Sequence, residues 1–157
     1  MRKRIIGHGP GDGAVVEPGW MDLEHLAQVE ITSEDVDHPI ESALIPGMGL
    51  GWRAAQPGEQ TLRLRFDQPL RLKRIHLSFQ EDEQERTQEF VLRWSPDGGQ
   101  SYREIVRQQY NFSPPEAARE VEDYDVDLDA VTALELKIVP DISGGIARAS
   151  LAQLRVA

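Results

Sequence analysis

Four aspartates at every second position, Asp123, Asp125, Asp127 and Asp129, are the acids in this sequence whose spacing most suggests a chemical site. A calcium loop starting at Asp123 needs a glycine at 128 to turn the backbone and a glutamate at 134 to bind the ion bidentately. Leu128 and Leu134 stand there instead, so these acids are read as the solvated face of a strand. His8, His25, His38 and His76 lie too far apart for zinc-ligand spacing, and the chain has no cysteine. That removes thiol catalysis, cysteine metal centres and disulfides, and it fits a reducing compartment. Gly7, Gly9, Gly11 and Gly13 neither follow a convincing strand nor open a helix, the context a phosphate cradle requires. Asn111-Phe112-Ser113 matches a glycosylation acceptor, but Pro114 follows and the start of the chain carries no export signal. Carboxylates are abundant, with 27 Asp and Glu, so their proximity to one another discriminates nothing. No nucleophile–base motif is legible, and the reading is non-catalytic, with no cofactor and no metal. What remains is a set of rings and planar polar groups. Trp52, Tyr110 and Phe112 are candidate apolar plates; His38, Arg86, Asn111, Asp141 and Arg148 are candidate hydrogen-bonding groups for a small polar ligand. For Trp52 the interior of a core is the stronger reading. Arg86 has an alternative use in pairing with Glu81, Asp82 or Glu83.

The elements that position these groups read as strands. Phe90, Leu92 and Trp94 alternate with Val91 and Arg93, then Ser95-Pro96-Asp97-Gly98-Gly99 turns the chain toward Tyr102, a hairpin. Leu62, Leu64 and Phe66 alternate with Thr61, Arg63 and Arg65, and Asp67-Gln68-Pro69 follows as a turn. Leu70 and Leu72 share one phase and Ile75, Leu77 and Phe79 the other, which predicts a β-bulge at Lys73-Arg74. Further strands are predicted from Leu26 to Ile31, over 121–128, over 133–139 and from Ala147 to Val156; 33–59 is a long segment with one helical turn at 39–44, and 109–115 is a polar-aromatic loop. About eight short strands without an amphipathic helix of crossover length predict an all-β antiparallel sandwich. Residues 1–19, rich in Gly and Pro, are expected as an irregular lead-in with an edge strand near Val15-Val16, and 20–157 as one domain.

If each strand crosses the sandwich once, the short connections 67–69, 95–101 and 129–132 fall at one end. The long ones, 33–59, 80–88, 109–118 and 140–148, converge on the other, where they either present a binding surface or plug the core.

In that order the motifs resemble the discoidin or coagulation-factor C-type domains of the galactose-binding-like β-sandwich superfamily, a jelly roll. Ser95-Pro96-Asp97-Gly98 followed by Tyr102 resembles that family's Ser-x-Asp-Gly and aromatic. Ala27 to Ser33 resembles its first strand, with Glu34 a departure. Gly51-Trp52-Arg53-Ala54 and then Gln60 to Phe66 resemble its tryptophan and second strand, and Ala149 to Val156 its closing strand. Residues 95–102 also resemble an Asp-box hairpin, but the motif occurs once, and a propeller repeats it. The resemblance, spanning roughly 22–157, implies non-catalytic binding of a carbohydrate at the loop end. As the second, alternative reading it implies a cytoplasmic protein-docking module on the same fold. Many carbohydrate-binding relatives hold a calcium through an Asp-Gly before the tryptophan and a Glu in the last strand; here those positions are Pro46-Gly47 and Gln153, and no ion is expected.

The formal net charge of −10 opposes nucleic-acid binding, which rests on clustered Lys and Arg. No apolar run approaches the roughly 20 residues of a membrane helix. The expected partner is a carbohydrate, another small polar ligand or a protein, in the cytoplasm, with the oligomeric state unspecified.

Overall fold

The computed structural model describes residues 19–157; the lead-in, with its glycine spacing and the edge strand expected at Val15-Val16, lies outside them but for Gly19. Eight strands follow a one-turn helix: β1 Ala27–Ile31, β2 Trp52–Pro57, β3 Gln60–Gln80, β4 Arg86–Ser95, β5 Arg103–Phe112, β6 Arg119–Val139, β7 Arg148–Leu151 and β8 Gln153–Val156. Their order is β1-β3-β6-β4-β5, with β8 also on β3 and β2 paired to β7, all antiparallel.

Two strands make the sandwich. β3 and β6, each 21 residues long, pair from Gln60↔Ile138 to Gln80↔Arg119, and the register slips between Arg65 and Arg74. The expected turn at Asp67-Gln68-Pro69 is instead an exposed bend within β3, and 121–128 and 133–139 are halves of one β6. The cause lies in the pairing: the two strands bend together, β6 at Ala130 with φ of +52°, so the ladder passes from one layer to the other without ending. One layer holds β1, 60–66 of β3, 131–139 of β6, β4 and β5. The other holds 72–80 of β3, 119–128 of β6 and β8. Leu62, Leu64, Leu72, Ile75, Leu77, Leu92 and Ile138 fill the space between them, and Phe79 stacks on Phe90 with ring centroids 5.2 Å apart. The bulge predicted at Lys73-Arg74 is present: both amides donate to Ala157 O, at 2.7 and 2.9 Å.

Three local differences matter for the site. The stretch 52–57, expected as loop, is strand β2, because Trp52 and Ala54 face the core while Arg53 faces out. Small alanines gave that alternation little apolar contrast. The closing run is broken at Ala152, whose N–H donates to Ser78 O, so β7 leaves β3 to pair with β2. Tyr110-Asn111-Phe112 belongs to β5, not to a loop, with Phe112 opposite Arg86.

The two ends are as the chain order predicts. At the short end Thr132 Oγ1 donates to Ser95 O and accepts from Gly98 N, and Arg65 donates to Gly98 O. At the other end Glu81 N donates to Ala118 O, Ile142 N to Thr87 O and Gly58 N to Ala147 O.

Gly51, just before β2, has φ of +108°, and a Cβ there would lie 2.5 Å from Leu151 O and 2.8 Å from Ala152 Cα. Gly51→Ala is expected to cost about 3 kcal/mol, roughly 10 °C in Tm at this length. Gly58→Ala meets no atom within 4 Å and keeps only the backbone strain, about 1 kcal/mol. Thermal melts of the two variants, with equal losses, would contradict this placement of Gly51 against β7.

Candidate functional site

Between the 33–51 segment, the 80–85 loop and the β2–β7 ribbon lies an open groove of about 230 Å³. His38, Leu50, Trp52, Arg53, Gln80, Glu81, Asp82, Glu83, Arg148 and Ser150 line it. Antiparallel pairing sets the first wall. Arg53 stands opposite Ser150, and Arg148, two residues before Ser150, shares its outward face. The chain at 35–38 wraps this edge: Asp35 N donates to Arg53 O at 2.8 Å and Arg53 N to His38 O at 3.1 Å. The His38 Nδ1 atom is buried, makes no hydrogen bond and lies 3.4 Å from Asp35 Oδ2. The Asp37 amide, chiefly, then the neighbouring His38 ring and least of all Arg148, hold the Asp35 carboxyl below its ordinary value against the opposing effect of burial. Neither Arg53 nor Arg148 forms an ion pair or a side-chain hydrogen bond among the described residues.

The opposite wall is acidic, and two of its acids, Glu81 and Asp82, have partners within the chain. Glu81 Oε1 accepts from Arg86 Nε at 2.6 Å and Oε2 from the amide of Glu83 at 2.9 Å. Burial alone would raise the Glu81 carboxyl; the Arg86 hydrogen bond and those amides outweigh it and leave it lowered. Asp82 accepts from Gln80 Nε2 at 3.1 and 3.2 Å.

His38, Trp52 and Arg148 thus border the same groove, and the other five candidates do not. Trp52 is 1% exposed and donates from Nε1 to Ser33 O, so its ring closes the core and offers no plate. The Arg86 side chain is also 1% exposed; beyond Glu81 it donates to Pro140 O at 2.8 Å and Gln88 Oε1 at 3.2 Å, with its guanidinium 4.6 Å from the centre of the Phe112 ring. It is a clamp between loops, not an exposed ion pair. Phe112 is buried beneath it. Tyr110 packs edge-on against Phe112 and donates to Arg119 O, on the inner face of β5. Asn111, exposed on the other face, accepts from Thr87 Oγ1 at 2.7 Å. Asp141 caps its own turn by accepting from Ser143 N. Arg53, Gln80, Glu83 and Ser150 were missed; the signal for Arg53 was the W-R-A-A alternation, legible only once 52–57 is a strand.

The calcium implied by the resemblance does not suit these residues. Pro46-Gly47 and Gln153 supply no carboxylate, and Arg155, on the same face of β8 as Gln153, donates from Nη1 to Ala43 O at 2.8 Å. A guanidinium already brings positive charge to a carbonyl of that segment. Elsewhere, Asp22, Glu24 and His25 gather ligand-type atoms within 4.8 Å, but the His25 Nδ1–Asp22 Oδ2 contact of 2.6 Å already joins two of the three.

A polar chain runs inward from the groove: Arg86 to Gln88, then Gln88 Nε2 to Glu120 Oε1 at 3.1 Å. Glu120 is 2% exposed. Burial first, and then the adjacent Glu122 carboxyl, push the Glu120 carboxyl up to about 8.

No family model matches the sequence, and no curated protein does. Solved structures share the fold. A family 32 carbohydrate-binding module of C. perfringens NanJ, solved with galactose, superposes at a TM-score of 0.64 and 16% identity, over 87% of this chain and 96% of that one. A second Clostridium perfringens module, solved with GalNAc-β-1,3-galactose, gives 0.63 and 18% over 87% and 98%. A pectin-binding module gives 0.61 and 16% over 83% and 89%. The architecture is therefore the antiparallel β-sandwich of these modules, the fold that the motif order implied. At these identities the likeness is one of fold.

The Glu120 carboxyl gives a pH test. Its folded value lies above the ordinary 4.5, so its contribution to stability is whole below that pH and is lost as pH rises through about 8. Glu120→Gln, which keeps a neutral amide in place, should match the parent Tm near pH 4.5 and exceed it near pH 9. A Tm difference independent of pH would mean that Glu120 is ionised throughout.

Proposed function

We propose that this chain is a non-catalytic carbohydrate-binding module and that the groove between β2–β7 and the 80–85 loop is its binding site. The observation that carries the reading is the pair of cations left without an ion pair or side-chain hydrogen bond there: Arg53 and Arg148 line the groove with none among the described residues, whereas Glu81, Asp82 and Arg86 have partners within the chain. A sugar offers paired hydroxyls of the right size for such groups. The fold shared with modules solved with galactose and GalNAc-β-1,3-galactose supports the same ligand class at the loop end. The site resembles no ring-stacking platform, since among the described residues the indole that lines it, Trp52, is buried, so recognition rests on hydrogen bonds with Leu50 as an apolar rim.

One observation favours a second reading, a protein-docking surface. Val36, Met48, Leu50, Ile142 and Ile146 are all exposed, and all sit in the two loop segments 33–51 and 140–147 of this end.

A dense glycan array separates the two. Single-site affinities near 1 mM, about −4 kcal/mol, become visible through avidity on a dense surface. Binding is expected with and without EDTA, abolished in Arg148→Ala and retained in Asn111→Ala, whose side chain lies outside the groove. A folded protein that binds no glycan would reject the carbohydrate reading and direct the search to protein partners by pull-down.

A further inference from the structure

We propose that the chain's own basic run, Arg2-Lys3-Arg4-Ile5-Ile6, adds as a strand to the free edge of β6 over 120–128 and closes the open flank of the sandwich. This surface lies apart from the groove and is independent of the carbohydrate reading. The two layers are unequal, with five strands in one and three in the other. In the smaller layer, 119–128 of β6 pairs with β3 on one side, and no strand pairs with its other side among the described residues. The layers therefore do not close over each other along this flank. Val106, Gln108 and Tyr110 on the inner face of β5 are only half-buried, and so are Glu122, Tyr124, Val126 and Leu128 on β6. Two polar atoms on the same inner face of β6, Glu120 Oε2 and the Tyr124 hydroxyl, are buried without a hydrogen bond. An extended segment laid along this edge takes main-chain hydrogen bonds from 120–128 and covers the half-buried row with alternate side chains.

Charge and position select the occupant. The edge carries Glu122, Asp123, Asp125, Asp127 and Asp129. Arg71 reaches Asp127 and Asp129, and Arg74 and His76 reach Asp123, while Glu122 and Asp125 have no ion pair among the described residues. An occupant must bring positive charge beside apolar side chains, and residues 2–6 hold the one run of three consecutive cations in the chain, followed by two isoleucines. The described chain also begins at this face. The Arg74 guanidinium lies 4.5 Å from the centre of the Trp20 ring and the His76 ring 6.0 Å from it, and His76 stands opposite Asp123 with Nδ1 2.9 Å from its Oδ1. The free edge is one strand further on, a step of about 5 Å. Residues 7–18 span up to about 40 Å when extended, so the basic run reaches all of 120–128. A tether of that length holds it there at an effective concentration on the order of 1 mM. The acids at the groove stand across from Arg53 and Arg148, which repel a second basic segment.

Nuclear magnetic resonance on the full chain tests this. Because the chain has no cysteine, His8→Cys places a single nitroxide label two residues beyond Ile6. The label is expected to broaden the amides of 120–128 and of 104–108 strongly, and those of β1, at the far edge of the larger layer, little. In the unlabelled parent, the amides of 120–128 that point away from β3 should exchange with solvent about tenfold or more slowly than in the triple variant Arg2→Gln, Lys3→Gln, Arg4→Gln, a gap that narrows in high salt. That variant alters no described residue, so unchanged amide shifts in β1 and β4 report that the fold is kept. Asp125→Lys, at an exposed position, should weaken the broadening from the other partner's side. Equal exchange in parent and triple variant, or broadening spread evenly over the domain, overturns the proposal. So does broadening at 120–128 that survives the three glutamines, since charge would then not direct the contact. Broadening seen only when nitroxide-labelled chains are mixed with separate nitrogen-15 chains makes a second copy the occupant and overturns the assignment to the chain's own segment.

Discussion

The pairing of β3 with β6 is the constraint on which the rest of the structure depends. Each strand belongs to both layers, and because they bend together the two layers are continuous through the backbone instead of being held by side-chain packing alone. Three strands pair with this ladder directly, β1 with the first half of β3, β8 with its second half and β4 with the second half of β6, and β5 is added through β4. The outer face of the first layer is tied across the same ladder. Glu135 on β6 lies between Arg63 on β3, at 2.8 Å, and Arg93 on β4. Burial would raise this carboxyl, but hydrogen bonds from the two arginines outweigh it and leave it lowered. A charge buried this way is stable only with both partners present, which links three strands to one side chain.

The ladder also decides where unsatisfied groups collect. Within the sheets, neighbouring strands bring opposite charges within reach, several of them on the diagonal of the register: Arg65 with Glu30, Arg107 with Glu89, Arg71 with Asp127. The β2–β7 ribbon lies beyond the end of β3, with no strand on its outer side to supply partners for Arg53 and Arg148. Opposite it, the 80–85 loop is held rigid by Arg86, which reaches Glu81, Gln88 and the carbonyl of Pro140 at once. A groove with one braced acidic wall and one wall of unpaired arginines follows from this, and it sits on a fixed scaffold, which limits the ordering cost of binding a ligand.

The residues chosen from sequence by chemical type divide along a physical line. Trp52, Phe112 and Arg86 have the side chains a binding site uses, but each is large enough to fill the space where two layers or two loops meet, and burial claimed all three. Asn111 and Asp141 satisfied local neighbours, as short polar side chains in strands and turns do. His38 and Arg148 remained in the groove because the backbone around them is at the edge of a ribbon.

Alternation in 62–66, 75–79, 90–94 and 133–139, the Asp97-Gly98-Gly99 turn and the phase slip at Lys73-Arg74 are local properties, written in residue order; they determined an antiparallel sandwich of about eight strands and the end at which its long loops meet. The continuity of β3 and β6, the strand character of 52–57 and the break at Ala152 depend on which strand lies alongside, information that no single stretch contains. The site depended on the same long-range pairing. That Arg53 faces outward beside Ser150 and Arg148, while Arg86 is consumed by Glu81, Gln88 and Pro140, is a matter of which partners the fold brings within hydrogen-bond reach, and only the tertiary structure decided it.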